Sequence, residues 1–556
     1  MNIKGFFISL FLLLLLLNAF CQPKHANTQD QLSIICKSWG LVKYHHPNVQ
    51  TGDFNLDEGL INMIDKIETD TSANVNDLIL EWIHSLGPTD GDESTKKASD
   101  IHFERNHDIS WLENTELLES DLVGLLYDLT HLRTGEKKYY VRKNSPIGNI
   151  EILNEKKYNI KDINYKNIRL LILFRYWNII EYFFPYKYLM DKDWDSVLRE
   201  YMPIFIKANS ELDFQLAFLS LTVELNDSHA NFFTEDILQF FGKKYLPVYF
   251  EMAHDQVVVS GYYHEEYARK NNLLKGDVII TSDSVSVNDR IEKLSKYTPG
   301  SNEARIGYNY RYSLFNGKED STNIVIVRDN DTIRQNVKRY SYEEFDIKPP
   351  SMSKWEVLGD GILLIRLWMI SGKDINEIKK LLKKNTGLIL DLRIYPKFNI
   401  RHRIVEIIKK RDSHFFKKIE PDLISPGKYV FKDNIKISGP KGSYQFGGNV
   451  AVLVNKRTIS YGEFIVMELQ SCENVTVIGS QTAGAVGHMS TLEVLEGMHT
   501  SFTGTGIYYP DSSEVQRSGV KIDLEVEPSL NGIKNGEDEI LNMALKFLSK
   551  NHKENK

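Results

Sequence analysis

The chain has 556 residues, of which 42% are hydrophobic and 26% charged, and its formal net charge is −7 at pH 7. That length exceeds what a single hydrophobic core fills and implies about three to four domains. The apolar and charged fractions are those of soluble globular proteins, and the small net charge with no basic block excludes a nucleic-acid footprint.

Residues 1–21 read as a secretory signal peptide: Lys4 supplies a positive start, residues 6–17 are apolar apart from Ser9, and Asn18, Ala19, Phe20 and Cys21 form the exit. The apolar run falls short of the ~20 residues a membrane-spanning helix needs. Two alternatives stay open, an uncleaved anchor and a lipid on Cys21, against which the bulky Phe20 counts; either would attach the protein to a membrane through its N-terminus. The expected location is periplasmic, cell-envelope or extracellular. Past the signal only Cys36 and Cys472 remain, too few for a disulfide framework or a metal cluster, and both are expected as core thiols.

Residues 24–235 read as mostly helical, with segments at 57–66, 75–85, 194–207 and 211–225. Trp39-Gly-Leu-Val-Lys-Tyr44-His-His-Pro47 is similar to Trp177-Asn-Ile-Ile-Glu-Tyr182-Phe-Phe-Pro185, with Trp, Tyr and Pro at the same spacing, which implies two related helical units. Residues 87–106, polar and rich in Asp, Ser and Thr, read as a loop. His45 and His46 stand together without further ligands at metal spacing, so no metal is expected there.

The pattern becomes β-type over 247–251, 256–261, 277–280 and 323–328. Within it, Asn272-Leu-Leu-Lys-Gly276-Asp277-Val-Ile-Ile-Thr-Ser-Asp283 resembles a PDZ signature. PDZ domains take an extended peptide by strand addition, which implies Leu273, Leu274, Gly276 and Asp277 as peptide-binding positions. From Trp355 the pattern alternates: strand at 361–369, helix at 374–384, strands at 387–392 and 449–454, helix at 461–471 and strand at 475–479. Short apolar strands separated by helices argue an α/β core with a buried sheet.

Two short segments carry chemistry. In Val452-Leu-Val-Asn455-Lys-Arg-Thr458-Ile-Ser460-Tyr461-Gly462-Glu463, a buried strand runs through a turn into a helix that Ser460 opens. The helix N-terminus favours negative charge, and the Tyr461 N–H is placed to donate to an oxyanion. Alone, Ser460-x-x-Glu463 is equally a capping box. The other segment, Asn226-Asp227-Ser228-His229-Ala230, follows an amphipathic helix, where a His is ordinarily a helix-end or surface residue.

Their order along the chain is more telling. Asn-Asp-Ser-His-Ala, the PDZ-like segment, Asp391-Leu392-Arg393, Thr458-x-Ser460-x-Gly462-Glu463 and Gly479-Ser-Gln-Thr482-Ala-Gly484-Ala485 resemble, over residues 165–530, the tail-specific and tricorn-like serine proteases (peptidase family S41, C-terminal processing peptidase type). The resemblance implies Ser460 as nucleophile. One branch uses a Ser–Lys dyad, and its Lys position here is Ala485. The chain therefore resembles the tetrad branch, which implies His229 as base with Ser228 and a Glu fixing it. Glu514 fits best, with Glu493, Glu496 and Glu525 as competitors. The second oxyanion donor is expected after Arg393, at Ile394, Tyr395 or Lys397, since Pro396 has no N–H; Tyr395 is preferred.

The expected fold is multidomain α+β: a helical N-terminal region (24–160), a helical segment with the Ser-His pair (161–240), a PDZ-like β domain (241–342) and an α/β core of the crotonase/ClpP-like kind (350–550). The expected function is an exported serine-type peptidase acting through an acyl-enzyme on protein C-terminal tails or unfolded peptides, without a cofactor. A non-catalytic peptide- or ligand-binding protein on the same fold is the alternative.

Overall fold

The computed structural model describes residues 27–89, 102–132, 137–347, 352–432 and 444–554; the signal-peptide reading and Cys21 lie outside them. Among the described residues no helix is long and apolar enough to cross a membrane.

The N-terminal helices start on polar caps. Asn55 accepts from the Glu58 N–H at 3.3 Å to open Leu56–Thr69, and Asp193 accepts from the Ser196 N–H at 2.9 Å to open Trp194–Lys207. Each follows a long buried helix, Thr28–His45 and Lys166–Phe183, and a Pro-containing turn. The indole N–H of Trp39 donates to Leu56 O and that of Trp177 to Trp194 O, both at 2.9 Å and both 17 residues along the chain.

The repeat seen in the sequence is therefore a repeat of structure, and its two copies face each other. Lys37 of the first pairs with Asp195 of the second, while Arg175 of the second pairs with Asp57 of the first at 2.8 Å. These four residues stand at equivalent positions. Such reciprocal contacts define an isologous, two-fold arrangement. Equivalent residues also meet across the axis. The Tyr44 and Tyr182 rings lie 5.2 Å apart, and a Cβ on Gly40 would come within 1.6 Å of Asn178 Oδ1. Gly40 is thus the position that lets the two long helices touch.

One core, running from Leu32 to Ile237 and joined by Ile419, Tyr429, Phe502 and Tyr508, fills both copies. The expected boundary near residue 160 consequently separates no cores. His102–Phe103, inside the segment expected as a loop, forms a strand against Tyr429–Lys432.

The middle region is an antiparallel sheet in the order Asp331–Lys338, Ser321–Arg328, Val278–Ser282, Gln256–Tyr262, Val248–Ala253. The C-terminal region holds a six-stranded sheet: Trp355–Leu358 is antiparallel at one edge, and Ile362–Arg366, Gly387–Asp391, Asn449–Val454, Val475–Gly479 and Leu524–Glu525 run parallel. Alternate residues serve two cores. Leu363, Leu388 and Val452 pack towards the helix Tyr461–Gln470, and Leu364, Ile389 and Leu453 towards Glu539–Glu554. Burial on both faces explains the unbroken apolar runs.

The two cross-axis ion pairs differ in depth. Burial opposes the Arg175 charge, but Glu155 and Asp57 more than offset this and hold the guanidinium charged. Asp57 is buried, whereas the Asp195 side chain is 38% exposed. Asp57→Asn should destabilise the fold by about 2–4 kcal/mol and Asp195→Asn by about 1 kcal/mol or less, read as unequal falls in unfolding temperature.

Candidate active site

The strand Asn449–Val454 ends in a tight turn before the helix Tyr461–Gln470. Ser460 sits in that turn at φ 55°, ψ −117°, the dihedrals of the first central residue of a type II′ turn, a place glycine usually takes. The Gly462 N–H closes the turn on Ile459 O at 2.9 Å. A serine held there stores about 1–3 kcal/mol of backbone strain, a feature concentrated at functional sites.

Glu463 and the segment from Thr482 to Ala485 hold this turn. The buried Glu463 carboxylate accepts from Ser460 N (3.1 Å), Thr482 Oγ1 (2.5 Å), Gly484 N (2.7 Å) and Ala485 N (3.0 Å). Burial pushes the Glu463 carboxyl up, and these donors oppose the rise. The capping box expected at Ser460 is present, and its carboxylate also builds the site. Ser460 N donates to Ala485 O at 3.0 Å.

The His229 loop is pinned to the same segment. Ser228 Oγ donates to Ala483 O at 2.8 Å and accepts from Ser301 N at 2.9 Å, and Ser228 N donates to Ser301 Oγ at 2.7 Å. Ser228 was expected to hold the imidazole. Its hydroxyl is instead consumed in joining the His loop to the Ala483 segment and to the middle domain. The imidazole is held by Thr503, whose Oγ1 lies 2.8 Å from His229 Nδ1. His229 is 5% exposed, and its Nε2 is buried with no hydrogen-bond partner among the described residues. Burial lowers the His229 pKa; Asp227 opposes this and Arg305 adds to it.

Glu514 also departs from expectation. It accepts from Tyr188 OH at 2.6 Å and lies 3.6 Å from Arg105, with Tyr508 beside Tyr188. Burial pushes its carboxyl up. It is the neighbouring Gln516, through Nε2, that reaches Asp227, at 3.1 Å. Glu493 is taken by Lys157 at 2.8 Å, Glu496 is exposed, and Glu525 lies exposed on the outermost parallel strand.

Ser460 opens onto a cavity of about 540 Å³ lined by Tyr395, Tyr461, Phe416, Phe464, Val486 and His488. Burial raises the Tyr395 phenol, and the Ser460 side chain, within hydrogen-bonding reach of it, opposes the rise. The Tyr461 and Tyr395 N–H groups have no partner among the described residues, as oxyanion donors require. His488, which the sequence reading missed, faces this cavity; burial lowers its pKa, as do Lys418 and His229. No hydrogen bond fixes its ring among the described residues.

Leu273, Leu274, Gly276 and Asp277 do not line a groove. Leu273 and Asp277 are fully buried; Asp277 accepts from Arg328 at 2.6 and 2.7 Å and from Leu274 N at 2.8 Å, and Gly276 backs onto Lys534. They brace the turn before Val278–Ser282. The middle domain's open cavity, about 1090 Å³, lies instead among Tyr249, Tyr263, Arg311, Tyr342, Ile347 and Arg457. Among the described residues no cluster of His, Cys, Asp and Glu could hold a metal.

The strain at Ser460 has a measurable consequence. Ser460→Gly relieves it while Ser460→Ala does not, so the Gly variant should be the more stable by about 1 kcal/mol, seen as a higher unfolding temperature.

Comparison with known proteins places this geometry. The model of peptidase family S41 matches residues 398–526, which include Ser460 and Glu514. No curated protein matches significantly. Among solved structures, mature CPAF shares the fold at 14% identity and TM-score 0.54, over 68% of this chain and 96% of that one. CPAF complexed with lactacystin aligns at 14% identity and TM-score 0.52, over 69% and 97%. The photosystem II D1 C-terminal processing protease aligns at 15% identity and TM-score 0.39, over 67% and 98%. The family match thus falls on the segment that bears the strained serine, so residues 398–526 are similar to peptidase family S41, and the fold around them is similar to that of mature CPAF.

Proposed function

We propose that this chain is a serine-type peptidase of family S41 that cleaves peptide bonds through an acyl-enzyme with Ser460 as nucleophile and His229 as base. One observation carries the assignment of the base. The Nδ1 of His229 is engaged by Thr503 while Nε2 is buried and free, and both the His loop and the Ser460 turn hang on the segment from Thr482 to Ala485. The Ser460 hydroxyl proton passes to Nε2 as Oγ bonds the scissile carbonyl carbon. The oxyanion is met by the Tyr461 and Tyr395 N–H groups. The C–N bond then breaks as Nε2–H protonates the leaving amine, and water, deprotonated by the same nitrogen, releases the acyl group.

The substrate reading is an extended segment, a protein C-terminal tail or an unfolded peptide, taken by a PDZ-like middle domain. Val248–Ala253 is the last strand of its sheet, and Tyr249, Phe250 and Glu251 on it line the larger cavity. Such an edge takes a further strand. Lys456, four residues before Ser460, pairs with Glu251 at 3.0 Å, so this edge adjoins the nucleophile turn. The charged start and apolar run of residues 1–21 support export, with membrane attachment through the N-terminus as its variant.

The test is intact-mass analysis after exposure to a serine-directed fluorophosphonate. A single adduct on Ser460, lost in Ser460→Ala and lowered at least about 100-fold in rate in His229→Ala, is expected. Labelling that survives His229→Ala but not His488→Ala would move the base to His488. Because burial lowers the His229 pKa, the acid limb of kcat/KM should fall below the ordinary histidine value of about 6.5, with the enzyme active on the alkaline side where the imidazole is neutral.

A further inference from the structure

The base is oriented by residues that neither the capping pattern nor the family tetrad identifies. Asp227 is fully buried, and its carboxylate has four donors. Oδ1 accepts from Thr503 Oγ1 at 2.8 Å, Gln516 Nε2 at 3.1 Å and the His229 N–H at 3.1 Å, and Oδ2 accepts from the Thr503 N–H at 2.7 Å. The Thr503 hydroxyl has one proton. With the carboxylate able only to accept, that proton points at Asp227, and the oxygen facing His229 at 2.8 Å acts as acceptor. His229 Nδ1 must therefore carry the hydrogen.

We propose that Thr503 and Asp227 form a positioning relay, His229 Nδ1–H to Thr503 Oγ1 and Thr503 O–H to Asp227 Oδ1, which fixes the tautomer that leaves the Nε2 lone pair free and steadies the imidazolium once Ser460 has given up its proton. The proposal rests on the reading of His229 as base. The threonine dipole carries the effect of the Asp227 carboxylate to the ring across one hydrogen bond. The carboxylate touches His229 directly only through the backbone N–H, which also sets the loop. The strand Met498–Thr503 brings the hydroxyl in and the Gln516 segment completes the carboxylate's shell, so the relay draws on three separate parts of the chain. The other charged or titratable groups facing the imidazole are Arg305 and His488.

The experiment pairs Thr503→Val, which keeps the shape and removes the hydroxyl, with Thr503→Ser, which restores it. Peptide hydrolysis in Thr503→Val should lose about 100-fold in kcat with KM changed less than about threefold, and Thr503→Ser should recover most of the loss. Asp227→Asn should shift the acid limb of kcat/KM to lower pH, because the carboxylate raises the affinity of His229 for its proton. If that variant does not fold, the threonine pair decides. The tautomer is read without activity by ¹⁵N NMR of histidine-labelled protein, with His229 assigned by His229→Gln. Protonated Nδ1 in the wild type that becomes a tautomer mixture in Thr503→Val supports the relay. Protonated Nε2, or an unchanged kcat and pH profile in Thr503→Val beside an inactive Ser460→Ala, overturns it and leaves the peptidase reading intact. An inert wild type would instead overturn the reading of His229 as base, and the tautomer would still judge the relay.

Discussion

A four-residue segment from Thr482 to Ala485 is the piece on which the site depends. Its N–H groups at Gly484 and Ala485 are taken by Glu463, its Ala485 carbonyl takes the Ser460 N–H, its Ala483 N–H goes to Thr458 O, and its Ala483 carbonyl takes the Ser228 hydroxyl. The Ser460 turn and the His229 loop lie more than two hundred residues apart in sequence and belong to different cores. A shared strand of backbone donors and acceptors is what holds them at a constant separation. Gly484, at φ 66° and with an added Cβ meeting the Arg517 backbone at 2.8 Å, lets that strand pass close to the closing loop.

Buried carboxylates do the rest of the positioning, and each is satisfied before it is used. Glu463, Asp227 and Asp277 are all fully buried, and an ionised group there is tolerated only when donors replace its lost water. The donors come from separate parts of the chain, so each carboxylate ties several segments to one point. Ser301 and Asn302 extend this logic to the middle domain. Ser301 exchanges hydrogen bonds with Ser228, and the Asn302 amide donates to Thr482 O and Arg517 O, both at 2.8 Å. The middle domain and the His229 loop are thus mechanically continuous.

The N-terminal copy of the repeat has a clear physical role. The second copy leads into the His229 loop and supplies Tyr188 to Glu514, yet its long helix Lys166–Phe183 is buried nearly all round and needs a partner surface. The first copy provides it through the pseudo-two-fold contact, and its hairpin Val141–Lys143/Ile150–Ile152 reaches on to the strands that carry Thr503: Ser490 Oγ donates to Ile150 O at 2.8 Å. The described residues between 27 and 152 accordingly belong to the scaffold of the site rather than to an appended domain.

By itself the amino-acid sequence determined the element types, because apolar periodicity and cap residues act locally. The helices at 75–85 and 194–207 and the buried strands at 449–454 and 475–479 lie where those patterns place them, and the Trp39/Trp177 spacing disclosed the duplicated unit. It also pointed to Ser460, through the resemblance carried by the order of motifs along the chain, since the strand–turn–helix start alone is equally a capping box. What only the tertiary structure decided is which polar groups meet. Ser228 could face His229 or the Ala483 segment, and Glu514 could reach His229 or Tyr188; spacing along the chain does not distinguish these. Thr503 and Gln516 carry no sequence signal, because each acts through hydrogen bonds to a carboxylate hundreds of residues away. Asp227 had a local trace, an Asp two residues before His229 whose side chain caps the loop through the His229 N–H, and its second task arises only where the two distant segments close around it.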